Sequence, residues 1–314
     1  MGPSNQLIFT LFFSFIAYAV LLWAGASALV SGSVKLSKKI GLSDFFIGMT
    51  VIAIGTSLPE FFVLFKSAYI ENYSNNLIYG TILGSNMANT CLILGLTFLL
   101  SFKKEFKYKL QNLNFKYLLI IFSTFLFCFF SFGIINSTLI CLMIISCSTI
   151  FYFSANFNDS AKIDNNLSNF LIIICLVFGP VAIWFAADGI TMTGLKIIEQ
   201  VGLSSALVGS IFLALSTSFP EIVACLISLF KYGKNDFVLG NIIGSNIANF
   251  TIFSIINLLF VIPLPSFAMS SLILILIAEI ILFSFILIFS KRKSVPNYCG
   301  IFLLLLYIIF VFKV

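Results

Sequence analysis

Apolar residues run in blocks of about 20, each long enough to cross a bilayer as a helix. The blocks fall at about 7–32, 43–70, 76–100, 115–132, 135–154, 168–195, 203–230, 236–262, 267–290 and 297–313. This pattern predicts an all-α membrane protein with ten transmembrane helices. The gap between the fourth and fifth blocks, near Phe132 and Gly133, is the least sharply marked. The longest polar connection spans 154–168 (SANFNDSAKIDNNLS) and divides the chain into a first unit at 1–154, a connecting loop at 155–167 and a second unit at 168–314.

Polar residues inside the blocks are not scattered; they recur. Residues 41–60 (GLSDFFIGMTVIAIGTSLPE) and 202–221 (GLSSALVGSIFLALSTSFPE) agree at nine of twenty positions, and 80–89 (GTILGSNMAN) and 240–249 (GNIIGSNIAN) at seven of ten. Each unit holds five spans, and an odd number of crossings turns the second copy upside down. The expected fold is therefore two inverted-topology five-helix repeats, an arrangement that places substrate sites near the bilayer midplane on interrupted helices. Pro59 and Pro220 lack an N–H, which predicts breaks in helices two and seven and the release of carbonyls near 53–55 and 214–216.

Spacing adds a chemistry. Thr56, Ser57 and Glu60 stand at i, i+1 and i+4, placing hydroxyls and carboxylate on one helical face; Thr217, Ser218 and Glu221 repeat this. Ser85 and Asn89, and again Ser245 and Asn249, are i, i+4 pairs on the following span. Gly80/Gly84 and Gly240/Gly244 are small-residue pairs that let helices approach closely. Together the halves supply two carboxylates, hydroxyls, amide oxygens and carbonyls, an all-oxygen set suited to a hard cation such as Ca2+.

Composition narrows the class. The chain is 61% hydrophobic and 9% charged with mean hydropathy +1.15, as in multi-span membrane proteins. Its net charge of +6 is a matter of topology rather than of nucleic acid binding. With ten alternating spans, fourteen basic residues (Lys35, Lys38, Lys39, Lys103, Lys104, Lys107, Lys109, Lys116, Lys162, Lys231, Lys234, Lys291, Arg292, Lys293) share one face, against Lys66, Lys196 and Lys313 on the other. Both termini are then expected on the non-cytoplasmic side. The small-residue stretch at Ala24–Ala28 resembles a processing site, but no basic segment precedes it and its helix has a counterpart around Trp184, so it reads as a retained span. The seven cysteines have no paired spacing and read as packing residues. The chain has no histidine, which removes Ser-His and HExxH catalysis and argues against an enzyme. No cofactor is expected. Asp188 and Glu279 are further acids inside spans, without an assigned role.

At these residues the chain resembles the sodium/calcium exchanger family, in its short prokaryotic form, through both copies of the TSxPE and GSNxxN motifs. The resemblance implies Na+/Ca2+ antiport by alternating access, with Na+, Ca2+ and the lipid bilayer as partners, in a monomer of a bacterial inner membrane. It further implies Glu60 and Glu221 as Ca2+ ligands, and Thr56, Ser57, Thr217, Ser218 and the carbonyls of Ala53 and Ala214 as Na+ and Ca2+ ligands. Ser85 and Ser245 would complete outer Na+ sites and Asn89 would line the centre. Two departures stand out: Asn249 occupies a position where many relatives carry aspartate, and Ser216 replaces a glycine, which should stiffen the second break. A Ca2+/H+ antiporter of the same superfamily is the alternative, and an ion channel also fits an oxygen-lined site.

Overall fold

The computed structural model describes residues 3–69, 75–101, 105–108, 113–131, 137–153, 168–200, 206–260 and 269–313. The expected connecting loop at 155–167 and the boundary near Phe132 and Gly133 lie outside them. The described chain is almost entirely helical, as a run of apolar blocks in lipid requires, because a helix satisfies its own backbone hydrogen bonds.

Helix α1 (Pro3–Ile40) runs unbroken through Ala24–Ala28 and lies antiparallel along α9 (Asn169–Gln200). Tyr18 meets Gly189, Gly25 meets Ala182 and Gly32 meets Cys175. A Cβ at Gly25 would sit 2.9 Å from that of Ala182 and one at Gly32 2.8 Å from that of Cys175, so the small residues set how closely the two helices approach. The outer faces of this pair expose Phe9, Phe12, Phe13, Trp23, Phe170, Val177 and Phe185, the apolar surface that lipid tails cover.

The segment after α1 is broken into α2 (Asp44–Ile47), a π-helical turn (Gly48–Ile52), α3 (Ala53–Thr56) and α4 (Leu58–Tyr69), with a bend of 46° at Ser57. Next come α5 (Asn75–Met87), a second π-helical turn (Ala88–Ile93) and α6 (Leu94–Leu100), then α7 (Leu113–Ser131) and α8 (Ser137–Phe153). After α9 follow α10 (Ala206–Phe230), α11 (Asn235–Phe260), α12 (Met269–Ile288) and α13 (Cys299–Lys313). Among the described residues, four stretches are long and apolar enough to span a membrane: Phe9–Ile40, Tyr79–Leu100, Asn169–Ile197 and Asn235–Phe260. The bent pair Asp44–Thr56 and Leu58–Tyr69 makes a fifth, and five shorter apolar helices accompany them.

Helices α5 and α11 form the interior. Gly240 and Gly244 of α11 press on the first π turn: a Cβ at Gly244 would lie 2.6 Å from Met49 Cα and 2.8 Å from Ala53 Cβ. The small-residue pair thus acts as its spacing implies, between the two halves of the chain. Aromatic rings of Tyr79, Phe127, Phe250 and Phe253 fill the space behind, with centroids 4.9–5.9 Å apart.

Two expectations need correction. Helix seven is not broken: α10 continues through Pro220, and the Ser216 hydroxyl, where the first half has Gly55, lies 2.8 Å from Thr191 Oγ1 of α9, which ties that turn to its neighbour. The fold also includes a short antiparallel ribbon, β1 (Glu105–Lys107) with β2 (Ser294–Pro296), pairing Phe106 with Val295. Three-residue strands are too short to show a period in sequence.

The ribbon brings the connector before α7 to the connector before α13. Asn235 Nδ2 donates to Lys107 O at 2.7 Å, Asn297 Nδ2 to Ser101 O at 3.1 Å, and Lys234 pairs with Asp44, whose other oxygen accepts from Ser37 Oγ at 3.0 Å. Four connectors that sequence places on the basic face therefore meet at one end of the molecule.

Candidate cation site

Where α3, α4, α5, the second π turn, α10 and α11 converge, the interior is polar. Thr56, Ser57, Glu60, Ser85, Asn89, Thr217, Ser218, Glu221, Ser245 and Asn249 are all buried there. Burying two carboxylates in a hydrocarbon-enclosed bundle is costly unless something compensates them.

The hydroxyls compensate in a crossed pattern. Ser57 Oγ donates to Glu221 Oε1 at 3.2 Å, Thr56 lies beside Glu221, and Thr217 beside Glu60. Thr56 and Ser57 serve the carboxylate of the opposite half, and Thr217 does the same from the unbroken α10, so the crossing follows from the two halves facing each other and not from the bend at Ser57. The serines of the following spans serve their own half, Ser85 Oγ to Glu60 Oε1 at 3.1 Å and Ser245 Oγ to Glu221 Oε1 at 3.4 Å. Glu60 and Glu221 themselves are near enough to interact electrostatically.

What is left over is informative. Glu60 Oε2, Glu221 Oε2, Asn89 Oδ1, Asn249 Oδ1 and Ser218 Oγ have no hydrogen-bond partner among the described residues. Buried polar atoms are nearly always satisfied, and four of these five are pure acceptors, which a cation would satisfy.

The two amides are oriented by partners that reading the spacing overlooked. Asn89 Nδ2 donates to Asn246 Oδ1 at 3.0 Å; Asn249 Nδ2 donates to Asn86 Oδ1 at 2.8 Å and to Ser85 Oγ at 3.1 Å. Asn246 in turn donates to Thr90 Oγ1 at 2.8 Å. Each amide spends its nitrogen on the other half and keeps its oxygen free. Asn86 and Asn246 are identical in the two copies of GSNxxN, so the repeat itself was the signal for them. Asn241, which accepts from Thr56 Oγ1 at 3.1 Å, carried no such signal because Thr81 stands in its place in the first copy.

The carbonyls behave differently from expectation. Ala53 O is not free: it accepts from Ser57 N at 3.0 Å and from Thr56 Oγ1 at 3.3 Å. A proline removes the donor to the residue four positions earlier, which is Gly55 for Pro59 and Ser216 for Pro220, not alanine. Ala214 lies within α10, before Pro220.

Two remaining acids lie elsewhere. Asp188 is exposed on α9, 3.9 Å from Lys66 of α4. Glu279 is buried on α12 with its Oε2 2.6 Å from the Thr124 hydroxyl of α7.

The sodium/calcium exchanger protein family matches residues 10–157 and 171–314, both halves of the chain. Sodium/calcium exchanger MaX1 of Methanosarcina acetivorans is 26% identical over 93% of this chain and 94% of its own length. An uncharacterized membrane protein of Methanocaldococcus jannaschii is 29% identical over 94% of this chain and 95% of its own length. A solved structure of the sodium-calcium exchanger NCX_Mj, soaked with Na+ and Sr2+, superposes with a TM-score of 0.81 at 27% identity, covering 98% of this chain and 99% of that one. With both halves matched and the fold shared throughout, this chain belongs to the sodium/calcium exchanger family of multi-pass membrane antiporters.

Proposed function

We propose that the protein exchanges Na+ for Ca2+ across a membrane, binding both ions in turn at the cluster around Glu60 and Glu221. The observation that carries this reading is the set of unsatisfied acceptors, one oxygen from each carboxylate and one from each of Asn89 and Asn249. Two carboxylates balance one Ca2+, and the hydroxyls of Thr56, Ser57, Thr217, Ser218, Ser85 and Ser245 provide neutral oxygens for Na+. The carbonyls of Ala53 and Ala214 join this set when the turns before the prolines open. Asn249 leaves the centre with two acids, so charge balance there favours one divalent ion.

In the same reading the bent pair, the four long helices and the five shorter ones are ten spans, forming two five-helix repeats of opposite orientation. Their alternation accounts for the meeting of the basic connectors at one end, which we assign to the cytoplasmic side of a bacterial inner membrane, leaving both termini outside. The peripheral pair α1 and α9 contributes no carboxylate to the cluster and slides past it to alternate access, within a single monomer. Sliding the pair across an empty site would enclose two carboxylates without a counter-ion beneath apolar helices, a cost that enforces exchange over leak.

The test is Ca2+ uptake into proteoliposomes driven by a Na+ gradient at clamped pH. Wild type accumulates Ca2+; Glu60→Gln and Glu221→Gln, correctly inserted, do not. Uptake that ignores Na+ and follows a proton gradient would replace this reading with Ca2+/H+ antiport, and passive conductance would replace it with a channel.

A further inference from the structure

Glu279 is a fully buried acid that the cation cluster does not use. Its Oε2 stands 2.6 Å from Thr124 Oγ1, while Oε1 has no hydrogen-bond partner among the described residues. The same Thr124 oxygen is 3.1 Å from Ile120 O. A threonine hydroxyl carries a single proton, so a carboxylate and a carbonyl must compete for it. The conflict disappears if Glu279 is a carboxylic acid. Its Oε2–H then donates to Thr124 Oγ1, and the Thr124 hydroxyl donates to Ile120 O. Every polar hydrogen has an acceptor, and no charge is buried.

The surroundings point the same way. Helix α12 packs on α7, α13, α5 and the second π turn. On α7 and the π turn, Cys128 and Cys91 are near enough to the carboxyl to interact with it electrostatically. Tyr79 of α5 and Tyr307 of α13 interact instead with Cys141 and Cys91. Among the described residues no Lys or Arg pairs with Glu279. A hard cation wants about six oxygens, and thiols and apolar side chains do not offer them. A proton needs only the carboxyl and the hydroxyl.

We propose that Glu279 is a proton-binding site of the scaffold, separate from the cation cluster, whose proton holds α12 against the second π turn. Cys91 of that turn stands two residues after Asn89. Release of the proton, Glu279–COOH to Glu279–COO⁻ plus H⁺, leaves a carboxylate without a counter-charge at this contact. The helices must then part or admit water, and the turn that carries Asn89 moves with them. The proposal does not depend on Na+ being the exchanged ion.

Infrared spectroscopy of the purified protein in lipid tests it directly. Wild type at neutral pH should show the C=O stretch of a protonated carboxyl that is missing in Glu279→Gln and lost from wild type as pH is raised. Thr124→Val should keep the band and shift it to higher frequency, because the acid loses its acceptor. In transport, Glu279→Gln should retain uptake at neutral pH and lack the decline that wild type shows in alkaline buffer. The proposal is overturned if Glu279→Gln removes no protonated-carboxyl band, if the band of Thr124→Val is unmoved, or if folded Glu279→Gln shares the alkaline decline. Loss of transport in Glu60→Gln with the Glu279 band intact would bear on the cation cluster alone.

Discussion

The two copies of the TSxPE motif carry the same side chains on different backbones. In the first, the chain passes through a π turn, breaks at Ser57 and bends by 46°; in the second, α10 runs unbroken past Pro220. The next spans differ likewise, since Ala88–Ile93 is π-helical whereas α11 is regular throughout. Proline is common to both motifs and so does not explain the difference. One difference with a visible contact is the residue four positions before it. Gly55 leaves room for Leu29 and Pro180 of the peripheral pair, whereas Ser216 is bonded to Thr191. Repetition of ligands therefore constrains the ends of the side chains while leaving backbone slack to one half. Both π turns lie in that half, and such turns are frequent at functional sites.

The largest effect tests the contact between the halves. Gly244→Leu would drive a side chain into Met49 and Ala53, whose backbone and Cβ stand 2.6 and 2.8 Å from the new Cβ. Backbone cannot yield as a flexible side chain can, so overpacking should cost about 3 kcal/mol or more. The expected result is a collapse of thermal stability in detergent together with loss of ion binding. A Gly244→Leu protein as stable as wild type would show that α11 does not rest on the first π turn.

Next are the amide supports. Asn246→Ala removes the acceptor that holds Asn89 and the donor to Thr90; Asn86→Ala removes an acceptor of Asn249, which keeps Ser85. Loss of about 1.4 kcal/mol of net hydrogen bonding corresponds to about a tenfold weaker Kd for Ca2+. Asn246→Ala should therefore exceed Asn86→Ala in a calorimetric titration, with turnover at saturating Ca2+ less affected than affinity. Equal losses would mean that the halves are functionally interchangeable despite their backbones.

Much of this was legible in the sequence because lipid simplifies the problem. Apolar blocks must become helices, and a polar residue repeated inside two of them needs a reason, so the apolar helices and the polar side chains that gather between them could be read directly. The relations between them could not. The crossing of Ser57 to Glu221 depends on how the second half faces the first. Pro59 identifies Gly55 as the carbonyl that loses its donor, whereas the two hydrogen bonds that Ala53 O accepts show only in the folded chain. Asn86 and Asn246 were printed twice in the chain, yet their task shows only when the second half faces the first. Asn241 and the β1–β2 ribbon had no repeat or periodicity to announce them.

Smaller again is the swap at the break. Ser216→Gly gives up the bond to Thr191, worth about 1 kcal/mol, and puts glycine inside a helix at about 1 kcal/mol. A drop of about 1–2 kcal/mol in stability, with faster amide exchange around Pro220, would make the second motif behave like the first. Unchanged exchange there would assign the asymmetry to something other than this residue.

The smallest effect separates the two ends of the molecule. Lys234 and Asp44 are 32% and 13% exposed, and Ser37 supports the pair; Lys66 and Asp188 stand 3.9 Å apart at 54% and 57% exposure. Exposed pairs are worth about 0–1 kcal/mol and are screened by salt. Asp188→Asn should leave the melting temperature nearly unchanged, and any effect should fade at high ionic strength, whereas Asp44→Asn should lower it in both low and high salt. Because Lys66 lies on the bent α4 and Asp188 on the peripheral α9, the exposed pair joins the slack half to the helices assigned to sliding. A folded Asp188→Asn protein with altered turnover and unaltered melting would place the importance of that contact in the motion instead of the resting fold. The asymmetry between the halves would then be a property of the transport cycle as well as of the backbone.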